Sequence, residues 1–214
     1  MLDLNDATDL DTDRSAHRII VGISGATGIV YGVRLLDELH AVGVETHLVI
    51  SRAGEMTRSY ETSHSARELR RKADVSYPPA DVGAAIASGS FRTRGMIIAP
   101  CSMRTLAEIA TGVTTSLLTR AADVCLKERR RVVLLVRETP LTTVHLRNML
   151  AVTEAGAIVF PPVPAFYDRP ETIDDIVDHT VGRVLDLFDL DSGRVARWGE
   201  PVRRDLAPRN GRSV

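Results

Sequence analysis

Three stretches of the 214-residue sequence combine residue types and spacings suited to chemistry on an anion. The first is GISGATGIVYG, residues 22–32, where Gly22, Gly25 and Gly28 follow an apolar run and precede a helical pattern. Free backbone N–H groups and a helix dipole at such a turn attract a phosphate. A tight strand-to-helix turn with no ligand is the plain alternative, because one glycine-rich turn is a weak signal. Its spacing also differs from the dinucleotide fingerprint, and the next apolar run, THLVIS, ends in Ser51 where an NAD site needs Asp or Glu. The second stretch is APCSMRTLAEIATG, in which Ser102 caps a helix or contacts a ligand there, and Cys101 reads as a small buried hydrophobe. The third is TRAADVCLKERRRVVLLVRETPL. Arg120 and Lys127, seven residues apart, share a helix face and either converge on one anion or form a solvated basic face. Arg137 and Glu138 directly follow an apolar run, which puts a cation and a carboxylate at a strand's end. His145, within LTTVHLRNML, reads as structural.

The elements that must hold these residues follow from periodicity. IIVGIS, THLVIS, GMIIAPC, RVVLLV and AIVFPP are short apolar runs that alternate with segments of helical period. Runs buried on both faces, each followed by a helix, predict an α/β fold: a single-domain, open, mostly parallel, doubly wound, Rossmann-like sheet. Ile29, Val33, Leu36 and Leu39 mark the buried face of the first helix, which stops at Val42-Gly43. A late helix is expected over 171–190 behind Pro170. Between Ser63 and Gly95 the rhythm breaks into a charged stretch, a Pro-Pro pair and ASGS, a connection long enough to be functional or mobile. Residues 1–17 are expected as a mobile lead-in, 18–190 as the α/β domain, and 191–214 as an arm or tail whose Trp198 docks.

Composition narrows the function classes. A net charge of -1 with 44% hydrophobic residues gives no bulk footprint for nucleic acid and no sign of disorder. No apolar run is long enough for a membrane span, and the acidic start is unlike a signal peptide, so a cytoplasmic protein is expected. Two cysteines without a CxxC pair give no disulfide or zinc framework, and no metal is expected.

Read in order, GISGATGIVYGVRLL, SGSF, APCSMRTL, LLTRAADVCLKERR, VRETPL and PPVPAFYDRP resemble the flavin prenyltransferase family from about Arg18 to Trp198. The resemblance implies an enzyme that joins a dimethylallyl group from dimethylallyl monophosphate to reduced FMN, at N5 and C6, without a metal. The prenylated FMN then serves a partner decarboxylase. It places Gly25, Ala26, Thr27, Ser51, Ser102, Met103, Arg104, Thr105 and Arg137 around the flavin. Around the prenyl phosphate it places Ser90, Arg120, Lys127, Glu138, Tyr167 and Arg183, with the Ser88-Gly89-Ser90 loop closing the site. It further implies a homo-oligomer, a dodecamer whose sites are shared between subunits. Thr27 stands where members commonly carry serine, and Arg104 where lysine or a small residue is common.

Elementary chemistry agrees with that implication. Expelling phosphate from an allylic carbon needs charge stabilisation, which fixed Arg and Lys side chains supply in place of Mg²⁺. Proton removal from the flavin ring needs a positioned base, and Glu138 is the best candidate, with Thr27 as its hydroxyl partner. Two alternatives remain. One is an FMN-dependent decarboxylase of the cysteine-decarboxylase family, against which PCSMRT stands where a PASANT-type motif is needed. The other is a flavin carrier without chemistry, which leaves Arg120, Lys127 and Glu138 without a task.

Overall fold

A computed structural model describes residues 17–193. The expected lead-in (apart from His17), most of the expected tail, and Trp198 lie outside the described residues. Six strands form one sheet: β1 (Arg18–Ile23), β2 (Glu45–Ile50), β3 (Val75–Tyr77), β4 (Gly95–Cys101), β5 (Arg131–Val136) and β6 (Ile158–Val159). All pairs are parallel, in the order β3-β2-β1-β4-β5-β6. The chain therefore reverses its direction of winding between β3 and β4. The carboxyl ends of β1 and β4, adjacent strands of the sheet, flank the crevice where such folds bind ligands.

Alternation along each strand divides the core into two layers, since successive side chains point to opposite faces. Ile19, Val21 and Ile23 of β1 join Ile97, Ala99, Val133 and Leu135 on one face. That face is covered by α1 (Ile29–Ala41) and α7 (Ile173–Asp186), through Leu36, Leu39, Val181 and Leu185. Ile20, Met96, Ile98, Val132 and Leu134 point the other way. They meet α4 (Met103–Thr111), α5 (Leu117–Lys127) and α6 (Thr143–Glu154), through Leu106, Leu118, Cys125 and Val152. Close packing of α1 depends on Gly32, where a Cβ would lie 2.5 Å from the Ala99 carbonyl oxygen and 2.8 Å from Ile23 Cδ1.

The five expected strands are present, although AIVFPP supplies only two strand residues. The stretch between Ser63 and Gly95 is more ordered than its pattern suggests: it holds α3 (Ala66–Arg71), β3 and a 3-10 turn at Ala85–Ala87. It follows α2 (Arg52–Glu61), which leads off from β2. An acidic clamp secures β3, for Asp74 accepts hydrogen bonds from Thr46 N (2.8 Å) and Thr46 Oγ1 (2.9 Å) of β2. The late helix starts two residues after the expected position, where Thr172 and Asp175 form a capping box, and it ends at Asp186. His145 is structural, as expected, with Nδ1 accepting from Thr142 N (3.2 Å) in the capping box of α6.

Both cysteines are buried, and burial pushes the Cys101 thiol up to about 12 and the Cys125 thiol up to about 11. The thiolate is the reactive form, so neither acts as a nucleophile near neutral pH. A disulfide thiol reagent should label no cysteine in the folded protein and both after denaturation. Prompt labelling of either one under native conditions would contradict this assignment.

Candidate functional site

At the carboxyl edge of the sheet, two helices begin side by side, each capped by a serine. Ser51 Oγ accepts from Gly54 N at 2.9 Å and opens α2, while Ser102 Oγ accepts from Thr105 N at 3.3 Å and opens α4. Each cap uses one of the helix's free N–H groups and leaves others directed outward. Buried Ser24 ties this corner together, donating to Pro100 O (2.9 Å) and accepting from Ser102 N (2.7 Å). Between the two helix starts lies a cavity of about 420 Å³ lined by Gly25, Ser51, Ala53, Ser102, Arg104, Thr105 and Ser116, among others. The backbone turn reaches it only because residue 25 is glycine: a Cβ there would collide with Ala53 Cβ. Five of the expected flavin contacts thus meet in one cavity, and Met103, beside Ser102, packs partly buried on the α4 side.

The glycine turn itself differs from the expectation of a phosphate at its helix. Both N–H groups that open α1, those of Gly28 and Ile29, donate to Glu61 Oε2 at 2.9 Å. The positive end of α1 already holds a carboxylate from the last residue of α2, so the places for a phosphate are the starts of α2 and α4. Thr27 hydrogen-bonds the same carboxylate. Partial burial pushes the Glu61 carboxyl up, but the Thr27 hydroxyl, the two backbone N–H groups and the Arg137 charge outweigh it and hold the group below the ordinary glutamate value. Arg137, just past β5, lies beside this turn: its Cδ is 3.6 Å from where a Gly28 Cβ would be, and its charge also acts on buried Tyr31. Ala26 sits half-buried between Gly25 and Thr27. Glu138 is exposed, with Oε1 accepting from Thr139 N at 3.1 Å.

The residues expected at the prenyl phosphate do not assemble within one chain. Arg120 pairs with Asp123 (2.7 Å) and Lys127 with Glu128, so each cation has its own carboxylate. The start of α5 borders the cavity, whereas Lys127 ends that helix, about 16 Å away at 1.5 Å per residue. Ser90 accompanies Lys127, its hydroxyl 2.8 Å from that of Ser88. Tyr167 and Arg183 belong to the opposite face of the sheet, with α7. Tyr167 Oη lies 3.2 Å from His179 Nε2, and Arg183 pairs with Asp186 at 2.8 Å. A larger cavity of about 530 Å³, lined by Arg94, Arg129, Arg130 and Arg131, lies at the opposite, amino edge and contains none of the expected flavin contacts.

The family model for flavoproteins matches residues 7–185. The flavin prenyltransferase UbiX of Neisseria meningitidis serogroup B is 57% identical over 182 residues, covering 85% of this chain and 96% of that protein. The chain belongs to the flavin prenyltransferase family. Among solved structures, AnUbiX (PadA1) in complex with FMN and dimethylallyl pyrophosphate is 53% identical, with a TM-score of 0.85 over 86% of this chain and 98% of that one. A dodecameric FMN-dependent Ubix-like decarboxylase from Escherichia coli O157:H7 is also 53% identical, with a TM-score of 0.83 over 86% of this chain and 100% of that one.

For a flavin prenyltransferase, the donor set at the carboxyl edge fits an FMN: two helix starts for a phosphate, a turn of small residues at Gly25 and Ala26 for a flat ring, and Arg137 beside it. Glu61 is the residue of this corner that sequence reasoning missed. It lies 33 positions beyond Gly28, inside YETSHS, and no spacing links it to the glycine turn. Among the described residues, no group of three or more His, Cys, Asp or Glu is placed to hold a metal.

Proposed function

We infer that the protein transfers a dimethylallyl group from dimethylallyl monophosphate to reduced FMN, yielding prenylated FMN for a partner decarboxylase. The observation that carries this reading is the cavity between the Ser51 and Ser102 helix starts, in a chain 57% identical to a flavin prenyltransferase. When bound, reduced FMN supplies the nucleophilic ring atoms. Free N–H groups at the starts of α2 and α4 hold its phosphate, and Gly25 and Ala26 leave the ring room against the backbone. Arg137 adds a fixed positive charge beside the ring.

As the allylic C–O bond breaks, negative charge grows on the departing phosphate, and Arg120, Lys127 and Arg183 neutralise it with Ser90 and Tyr167 as hydrogen-bond partners. Glu138 accepts the ring proton, and the Thr27 hydroxyl, oriented by Glu61, aids that transfer. Because Lys127 and Ser90 lie a helix length from the cavity, and Tyr167 and Arg183 on the other face of the sheet, a second subunit completes the site. Exposed apolar side chains support such an assembly: Val144, Leu146 and Leu150 on α6 stand 54–60% exposed, as does Tyr167 at 54%. We take it to be a dodecamer.

The test is anaerobic incubation of the purified protein with reduced FMN and dimethylallyl monophosphate, followed by mass analysis of the flavin. A parallel reaction contains the pyrophosphate. The expected result is FMN heavier by one dimethylallyl unit in the monophosphate reaction. Recovery of only unmodified FMN, where an active family member succeeds, would overturn the reading.

A further inference from the structure

The Ser88-Gly89-Ser90-Phe91 segment has no regular secondary structure, yet one side chain holds it at two points. Arg130 Nη2 donates to Gly89 O at 2.6 Å, and Arg130 Nη1 donates to Phe91 O at 2.7 Å. The two bonds bracket Ser90. The rigid fork of a guanidinium suits this task, because one planar group fixes both the position and the orientation of the loop. Arg130 is half-buried and is itself held by its backbone, whose N–H donates to Cys125 O (2.8 Å) at the end of α5.

The loop held in this way presses against Lys127. A Cβ at Gly89 would lie 2.8 Å from Lys127 Nζ and would meet the Glu128 carboxylate, so the loop backbone runs directly against the ends of both side chains. On either side of Gly89, the Ser88 and Ser90 hydroxyls lie 2.8 Å apart. The loop thus carries two hydroxyls on the segment whose glycine passes the Lys127–Glu128 ion pair, where a phosphate would compete with the carboxylate for the ammonium. Carbonyl partners take up the Arg130 donors but not its charge, which acts on the Glu128 carboxylate next to Lys127 and offsets part of that carboxylate's repulsion of a phosphate.

We propose that Arg130 is a positioning residue for prenyl transfer: it latches the Ser88–Phe91 loop against Lys127 and thereby sets the affinity for the prenyl phosphate without touching it. This rests on the prenyltransferase reading, in which Ser90 and Lys127 bind that phosphate. The latch lies well away from the flavin cavity. Its loss weakens recognition of the prenyl donor and leaves flavin binding intact.

Arg130→Met removes both bonds, whereas Arg130→Lys keeps the charge but has one nitrogen in place of the two that reach Gly89 O and Phe91 O. In the Met variant, the KM for dimethylallyl monophosphate is expected to rise about tenfold or more, kcat to change little, and FMN affinity to stay at the wild-type value. The Lys variant should fall between the two. Hydrogen–deuterium exchange, read without prenyl donor, should show amides 89–92 exchanging faster in the Met variant while those of β5 keep their protection. Wild-type KM together with wild-type loop exchange would overturn the latch, and so would FMN affinity falling in step with KM, which marks general destabilisation. If the Met variant does not fold, the same two readouts on the Lys variant decide. Should the wild-type protein transfer no prenyl group, the functional reading fails, and loop exchange alone still tests whether Arg130 holds the segment.

Discussion

Replacing Glu138 by glutamine should leave FMN binding unchanged and slow prenyl transfer by about 10²–10⁴-fold, the usual contribution of a positioned proton acceptor. Glutamine preserves the shape of the side chain and the carbonyl that accepts from Thr139 N, so the chain after β5 keeps its course. What it removes is the ability to take a proton. Glu138 does not line the cavity between α2 and α4, so flavin affinity should not depend on its charge. The check is single-turnover absorbance of the flavin after mixing with the prenyl donor, with FMN affinity measured separately by fluorescence quenching. Wild-type turnover in the glutamine variant would remove Glu138 from the mechanism. A parallel loss of flavin affinity would reassign it to binding.

The sheet was legible because its central strands are buried on both faces: RIIVGI, GMIIAPC and RVVLLV contain no polar side chain beyond their first residue. The edge strand β3 was not, since VSY is short and half-buried, and a carboxylate outside the strand secures it. A local signal also located the Ser102 cap, because a serine between an apolar run and a helical pattern is a local feature, whereas the equivalent cap at Ser51 emerges only in the structure. Glu61 lacks any such signal. Its role arises only when the end of α2 folds back over the start of α1, a tertiary event that no periodicity encodes. The seven-residue spacing of Arg120 and Lys127 does put them on one helix face, but Asp123 and Glu128 lie close enough to pair with them first. A ligand must displace or share those partners, and sequence spacing cannot express that competition.

Glu61 and Thr27 should behave as a single unit. Glu61 caps α1 in place of Gly28, which has no side chain to do so, and its removal as Glu61→Ala should cost about 0.5–2 kcal/mol of stability. The sign of its pH dependence follows from the lowered carboxyl. A group whose pKa is depressed by folding stabilises the protein above its unfolded pKa and loses that contribution as the pH falls through the folded value. Acid unfolding curves of wild type and Glu61→Gln should therefore converge below the ordinary carboxylate range and separate toward neutral pH. For the chemistry, Thr27→Val removes the hydroxyl at nearly constant shape, and Glu61→Gln leaves that hydroxyl without its charged acceptor. Each should slow prenyl transfer by about 10²-fold. The double variant should be no slower than the slower single variant, because either change alone disables the same proton path. Rate losses that multiply in the double variant would mean that Thr27 and Glu61 act independently, leaving Glu61 only as the cap of α1.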